Sequence, residues 1–304
     1  MIHQVTRVSA NYETPVSIFV FGDRQAGSEG YNKEAWQEFK RHFKSTPNAW
    51  ALGVGDYNGW LRPTMRAHLQ SATAKDTSAR KQLDKLVMQD HDKTIEDMEF
   101  LKDKCIGLHE GHHNWTFITN DNTDMRLANA LKAPYLGWMA STRLVIDYNS
   151  PKTTKKSRFG LTYTIVSMHG NSNASSFPSS ARWMETRVVN AWIADQHIMG
   201  HGCKNGNFEP HVQNIIRRRG PAGIDTKIPR CLIVGGFCDG FTNGWESGYV
   251  EQRGFAPQPL GWGVIRLKFV HTNQAALARG LEATGTGKSA ISLDVEQLNK
   301  NPLG

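Results

Sequence analysis

The sequence predicts an α/β protein in which the first sheet is mainly parallel. Short β-rich apolar runs, typical of buried strands, occur at residues 16–21, 50–54 and 105–108. The segments between these runs, residues 33–44 and 63–104, carry apolar side chains at helical spacing among many charged residues. Strands that alternate with helices are typical of parallel sheets, because the helical crossover returns the chain to the edge where the previous strand began.

The second half of the chain is predicted to contain more strands. Two further helices are expected at residues 124–131 and 180–193. The strand-like runs are 143–148, 161–168, 211–217, 230–234 and 263–270. From His271 the chain becomes polar and rich in small residues. We therefore predict one domain, residues 1–270, followed by a peripheral C-terminal tail, residues 271–304.

The composition indicates a globular protein that does not span a membrane. The chain has 304 residues, of which 39% are hydrophobic and 21% are charged, enough for one large domain or two small ones. No apolar run approaches the length that crosses a bilayer, and the N-terminus has no signal-peptide pattern. The four cysteines form no C-x-x-C pair, which fits a reducing cytoplasm and predicts a cytoplasmic protein.

The net charge of +8 favours polyanionic partners such as DNA or RNA. A soluble protein with a basic surface explains the same charge. The basic residues cluster at Lys152, Lys155, Lys156 and Arg158, and again at Arg217, Arg218 and Arg219. Neither cluster alone supports a nucleic-acid interface.

Polar side chains lie at five strand ends, of which the fifth is the run at residues 194–199 that leads into His201. They are Asp23 with Gln25, Asp56, His112 with His113, His169, and His201 with Cys203. The carboxyl ends of parallel strands meet at one edge of a sheet, where the sites of α/β proteins lie. Carboxylate and imidazole ligands gathered there suit two adjacent divalent metals. For the adjacent pair His112 and His113, solvated loop histidines remain an alternative to a metal or acid–base site.

Residues 109–113 also spell H-E-x-x-H, the zinc-protease pattern. That chemistry requires a helix, so that both histidines lie on one face. Here Gly111 interrupts the motif and a turn and a strand are predicted after it. The sequence therefore argues against a zinc protease.

The order of these motifs resembles the calcineurin-like metallophosphoesterases. From Phe19 to Cys203 the chain follows the family order of motifs. These are Asp-x-Gln at residue 23, Gly-Asp at 55, Gly-His-His-Asn at 111, a lone His169, and Gly-His-x-Cys at 200. Residues 249–257 and 261–267, with His169-Gly170, look like the phage and prophage members. The resemblance implies a four-layer αββα sandwich of two mixed β-sheets flanked by helices, with a metal site at the carboxyl ends of the strands.

The resemblance also implies roles for single residues. Asp56 looks like the carboxylate that bridges two metals, and His169 and His201 look like ligands of the second metal. His112 stands where the family has asparagine, and completes that second set. Asp23 looks like a ligand of the first metal.

The first-metal set departs from the family. Gln25 and Cys203 stand where that metal normally has histidines, and an amide oxygen is a poorer ligand than imidazole for most transition metals. Cys203 is either a thiolate ligand, which favours soft ions such as zinc, or a small buried hydrophobic residue. We expect two divalent ions (Mn, Zn, Fe or Mg), with the second site the more complete one.

Two residues look like substrate-binding groups. His113 resembles the histidine that contacts phosphate and helps the leaving group depart. Asn114 replaces the acid that often follows it, so a carboxylate that would tune His113 from that position is absent.

The resemblance implies a phosphoester hydrolase in which a hydroxide held between two metals attacks phosphorus. The basic charge favours a phosphodiesterase, and so a nuclease. The alternatives are a nucleotide or protein phosphomonoesterase, and a catalytically silent nucleic-acid-binding member with a degenerate first metal site.

Overall fold

The computed structural model describes residues 1–11, 13–28, 30–59, 63–148, 160–170, 176–201, 205–210, 213–216, 224–239, 260–271 and 291–300. The basic clusters at 152–158 and 217–219, residues 249–257, and Cys203 lie outside these ranges.

Two mixed six-stranded sheets form the centre of the protein. The first sheet runs, in spatial order, β1 (Ile2–Ala10), β6 (Met139–Tyr148), β7 (Gly160–Met168), β8 (Gln196–Met199), β12 (Arg230–Ile233) and β9 (Gly206–Phe208). The second runs β14 (Ile291–Lys300), β13 (Trp262–His271), β2 (Val16–Phe21), β3 (Ala49–Gly53), β4 (Cys105–His109) and β5 (Tyr135–Gly137). A separate antiparallel pair is formed by β10 (Gln213–Ile216) and β11 (Ile224–Lys227).

The described helices are α1 (Lys33–Ser45), α2 (Pro63–Ala72), α3 (Thr77–Met98), α4 (Thr123–Ala130) and α5 (Phe177–Met184). Three of them begin with a polar side chain that caps the first turn. The side chains of Asn32, Asp76 and Asn122 each accept hydrogen bonds from backbone N–H groups in the first turn of α1, α3 and α4. Such caps satisfy donors that have no partner within the helix.

Successive side chains of β2 point to opposite faces of the second sheet, and each face packs into a different core. Ile18 and Val20 point into the core between the two sheets, with Leu144 and Ile198 of the first sheet. Phe19 and Phe21 point the other way, into a second core shared with Trp36 of α1, Met98 of α3 and Leu127 of α4. A third core joins Met184 of α5 to Val166 of β7 and Ile233 of β12 on the outer face of the first sheet. Helix, sheet, sheet and helix therefore form four layers, and the predicted fold class is confirmed.

Most of the predicted elements are present. Strands β2, β3 and β4 pair in parallel, as the alternation of strands and helices predicts. The long helical segment is divided into α2 and α3, and Asp76 caps the second part. The predicted helix at 180–193 begins earlier, at Phe177, and continues from α5 as a π-helical turn, Glu185–Val189. None of the described helices has both the length and the apolar character that a membrane span requires.

Part of the predicted C-terminal tail belongs to the sheet. Strand β14 pairs antiparallel with β13 from Ile291 to Lys300, at the edge of the second sheet. The described part of the segment after 271 is therefore an edge strand. The domain boundary at residue 270 stays a prediction.

Candidate metal centre

The carboxyl ends of five strands bring the predicted polar residues to one edge of the two sheets. Asp23 follows β2, Asp56 follows β3 and His112 follows β4 in the second sheet. His169 directly follows β7 and His201 follows β8 in the first sheet. The site therefore lies where both sheets end, as the pattern of strand ends predicts.

Four of these side chains form a compact cluster of possible metal ligands: Asp56, His112, His169 and His201. One ligand atom from each lies within 4.8 Å of all the others. Asp56 and His169 are buried, whereas His112 and His201 are half-buried. The buried pair forms the floor of the cluster, and the half-buried pair forms its mouth.

His169 is oriented by a backbone carbonyl. Its Nδ1 lies 2.6 Å from the carbonyl oxygen of Val54. A carbonyl only accepts hydrogen bonds, so Nδ1 carries the proton. The Nε2 atom then faces Asp56 Oδ2 at 3.3 Å. Holding one ring nitrogen by a carbonyl so that the other faces the metal is the usual arrangement of a histidine ligand.

The two carboxylate oxygens of Asp56 have different surroundings, one in a backbone hydrogen bond and the other facing two histidines. Its Oδ1 accepts a hydrogen bond of 2.8 Å from the backbone N–H of His113. Its Oδ2 lies 3.3 Å from His169 Nε2 and 3.8 Å from His201 Nδ1. Burial opposes ionisation of Asp56, but the neighbouring His169 and His201 hold its pKa well below the ordinary value. Burial lowers the pKa of His169 and Asp56 raises it, and the net result is a pKa of about 9.

The backbone around the cluster is in an unfavourable conformation. Asp23, Gln25, Asp56 and His201 have φ values of 45°, 45°, 54° and 58°. Residues other than glycine adopt such values at a cost of about 1–3 kcal/mol each, and they concentrate at functional sites. The turn after β4 packs closely against Asp56 because residue 111 is a glycine. A Cβ at Gly111 would lie 2.1 Å from the backbone nitrogen of Asp56.

Polar atoms that are buried and lack a hydrogen-bond partner in the described chain converge on this site. They are Asp23 Oδ1, Asp56 Oδ2, His112 Nδ1, His113 Nδ1, His169 Nε2 and His201 Nδ1. Each such atom costs free energy unless it finds a ligand. A divalent cation suits the imidazole and carboxylate atoms of the cluster. The residues therefore fit the metal that the sequence predicts, and their role as ligands remains a prediction.

The residues predicted for a first metal are less compact. Asp23 is buried beside the cluster, and its Oδ2 accepts a 2.8 Å hydrogen bond from the backbone N–H of His201. Burial, offset in part by His169, raises the pKa of Asp23 to about 6. Gln25 is half-buried next to it, and its backbone N–H donates to the carbonyl of Asp56. Cys203, the remaining residue predicted for this set, lies outside the described residues.

His113 and Asn114 have different surroundings. The ring of His113 is half-buried and its Nδ1 has no partner among the described residues. Burial lowers the pKa of His113; the charge of Asp56 opposes this shift, and the charge of Arg66 adds to it. Asn114 donates its side-chain N–H groups to Glu110 Oε1 and to the carbonyl of Gly111, at 2.7 and 2.9 Å. Asn114 thus stabilises the turn after β4, and its substrate-binding role stays a prediction.

His109, the first histidine of the H-E-x-x-H pattern, lies in β4 and is fully buried. Its Nδ1 lies 2.8 Å from the carbonyl of Gly137, and its Nε2 lies 2.7 Å from Ser167 Oγ in the first sheet. It links the two sheets below the site, and burial lowers its pKa to about 4. The strand geometry confirms that this motif is not a zinc-protease helix.

Two further residues lie at the site that no sequence pattern indicates. Arg66 on α2 is buried, its Nε has no partner among the described residues, and its charge interacts with Asp56, Asp124 and Glu110. Trp138 is 46% exposed, and its ring centroid lies 4.9 Å from that of His112. Neither residue follows a strand that the sequence predicts. Arg66 lies in a helix, and Trp138 follows β5, a strand of three residues that the sequence does not predict.

No protein family model matches the chain, and no curated protein matches it. Among solved structures, the chain is similar to Vps29 of Chaetomium thermophilum, with 10% identity, a TM-score of 0.36, and coverage of 94% of this chain and 97% of that chain. It is also similar to the calcineurin-like phosphoesterase YfkN of Bacillus subtilis, with 12% identity, a TM-score of 0.35, and coverage of 96% and 92%. A putative 5'-nucleotidase of Staphylococcus aureus matches with 9% identity, a TM-score of 0.37, and coverage of 94% and 54%. At these scores the likenesses carry no argument about function, and the resemblance to phage members stays a prediction.

Proposed function

We propose that the protein is a metal-dependent phosphoester hydrolase. The observation that carries this proposal is the cluster of Asp56, His112, His169 and His201, whose ligand atoms lie within 4.8 Å of one another. A divalent metal bound there would supply a Lewis acid that polarises a phosphoryl oxygen and lowers the pKa of water. The residues of the chain supply the rest of the chemistry.

Two groups beside the cluster fit a phosphoryl substrate. Arg66 presents a buried positive charge near Asp56, and guanidinium groups bind phosphate oxygens through charge-assisted hydrogen bonds. His113 has a buried Nδ1 without a partner among the described residues. We assign His113 the task of donating a hydrogen bond or a proton to the departing oxygen. Its backbone N–H also holds Asp56 in place.

We favour a phosphodiester substrate, and so a nuclease, because the net charge of +8 attracts polyanions. A nucleotide or protein phosphomonoesterase is the second candidate. A third is a nucleic-acid-binding protein without catalysis. Gln25 favours that third candidate, since its amide stands where the resembled family has a stronger ligand.

The test is a hydrolysis assay with added Mn²⁺, Zn²⁺ or Mg²⁺ and with a chelator as control. The substrates are bis-p-nitrophenyl phosphate, p-nitrophenyl phosphate, and single- and double-stranded DNA. We expect metal-dependent cleavage of the diester and of DNA. Cleavage of the monoester alone would establish a phosphomonoesterase. Metal binding without any cleavage would contradict the hydrolase and leave the silent binding protein.

A further inference from the structure

We propose that Trp138 is a stacking platform at the mouth of the metal centre, for a nucleobase or a similar planar ring attached to the phosphoester. This inference rests on the proposed function and adds the class of substrate: a nucleotide-type phosphoester, whose aromatic group lies near the phosphorus.

The position of Trp138 is fixed by the site itself. Its backbone carbonyl accepts a hydrogen bond of 3.2 Å from the N–H of His169. The preceding Gly137, with φ of 58°, accepts at its carbonyl from the backbone N–H of Glu110 and lies 2.8 Å from His109 Nδ1. The turn that carries Trp138 is therefore anchored to β4 and to the residue that follows β7. These bonds hold the backbone of Trp138 beside the cluster.

The indole contacts the cluster and still presents surface to solvent. Its centroid lies 4.9 Å from that of His112 and 6.1 Å from that of His169, at interplanar angles of 60° and 57°. The residue is nevertheless 46% exposed. Among the exposed large hydrophobic side chains of the described residues, it is the one whose ring contacts the cluster. Tryptophan is enriched at binding interfaces, where its ring packs on one side and contacts a partner on the other.

The position of the opening of the metal centre indicates which part of a bound substrate lies on the indole. Asp56 and His169 are buried, so a phosphoryl group reaches the cluster past the half-buried His112 and His201. The organic group of the bound ester then extends out of the site through the same opening, along the side where Trp138 packs against His112. An aromatic ring there can stack on the indole, which is how proteins hold bases without reading their sequence.

The experiment compares two phosphate esters that differ in the base alone. Binding of adenosine monophosphate and of ribose 5-phosphate to the Mn²⁺-loaded full chain is measured by titration calorimetry, and metal content is measured in every variant. In Trp138→Ala we expect binding of the nucleotide to weaken about tenfold and binding of the sugar phosphate to change by less than about twofold. Trp138→Phe should keep most of the affinity for the nucleotide. Trp192→Ala, which removes another exposed indole, is the matched control and should bind both compounds as the wild type does.

The outcomes separate this inference from the proposed function. If the wild type binds both compounds equally, or if Trp138→Ala weakens both by the same factor, Trp138 is not a base platform, while the phosphoesterase proposal stands. If the metal-loaded wild type binds neither compound, the inference is wrong, while the phosphoesterase proposal is decided separately by the hydrolysis assay. A loss of metal in Trp138→Ala would show that the indole only supports His112, and would also overturn the inference.

Discussion

At the scale of single residues, His112 and His113 are neighbours with different surroundings. His112 belongs to the compact cluster, whereas His113 lies outside it and holds Asp56 through its backbone N–H. We expect His113→Ala to lower the turnover number about 10²–10⁴-fold, as for the loss of a general acid, and to leave metal content unchanged. His112→Ala should deplete the metal. The metal content and the hydrolysis of bis-p-nitrophenyl phosphate are measured for both variants. If His113→Ala loses the metal and His112→Ala keeps it, the two roles are reversed.

Arg66 offers a second prediction at this scale. Its guanidinium is buried near Asp56 and Glu110. Burial lowers the pKa of Arg66, but arginine stays protonated in proteins, so a positive charge lies where a phosphate would bind. We expect Arg66→Gln to reduce kcat/KM about tenfold or more, at least about 1.4 kcal/mol of transition-state stabilisation, without loss of metal. The control is Arg41→Gln on α1, where the side chain is 75% exposed and pairs with Glu38. Equal kcat/KM in both variants would exclude Arg66 from the site.

At the scale of elements, an ion-pair network ties α3 to the loop that carries Asp23. The guanidinium of Arg24, next in the chain, pairs with Asp97 of α3 and packs over the ring of Trp36. Asp97 also accepts hydrogen bonds of 2.7 Å from Trp36 Nε1 and from Lys40 Nζ. Burial opposes ionisation of Asp97, but Lys40 and Arg24 lower its pKa below the ordinary value.

Because the pKa of Asp97 is lower in the folded protein, its stabilisation is present above the ordinary aspartate pKa of about 3.9 and is lost as the pH falls through the folded pKa. We expect Asp97→Asn to reduce the free energy of unfolding at neutral pH by about 3 kcal/mol, since a nearly buried arginine loses its partner. The difference from the wild type should shrink below about pH 4. Urea unfolding at both pH values measures this.

The control for Asp97 is Asp147→Asn. Asp147 pairs with Arg7 at the surface, where the two side chains are 35% and 69% exposed. Such pairs contribute less than about 1 kcal/mol. If the difference in the free energy of unfolding between Asp97→Asn and the wild type does not change with pH, the ionisation of Asp97 does not stabilise the fold.

The elements also show how far the sequence predicts this structure. Buried strands such as β2, β3 and β4 are short apolar runs, and the convergence of their carboxyl ends places the cluster correctly. Strand β1 is missed, because it is an edge strand with mostly exposed or half-buried side chains and its partner β6 is distant in the chain. Arg66 and Trp138 are missed because only the three-dimensional packing of α2 and of the turn after β5 brings them to the site.

At the scale of the whole molecule, the net charge of +8 leads to a prediction about salt. If the substrate is nucleic acid, its binding releases counterions, and log K falls linearly with log salt. We expect a clear decrease in affinity for single-stranded DNA between roughly 50 and 200 mM salt, measured by fluorescence anisotropy with metal-loaded His113→Ala, in which DNA cleavage is expected to be slow. A flat dependence, together with tight binding of small nucleotides, would favour the phosphomonoesterase instead.

The central proposal is that Asp56 holds the metal centre of a phosphoester hydrolase. The most direct test is the rate of bis-p-nitrophenyl phosphate hydrolysis by Asp56→Asn after metal loading, with Asp147→Asn as the control and circular dichroism to verify the fold. We predict that Asp56→Asn folds normally and loses more than nine-tenths of the activity, a barrier increase above about 1.4 kcal/mol, while the control keeps wild-type activity. A folded Asp56→Asn variant that retains more than a tenth of the wild-type rate would contradict the assignment of the site.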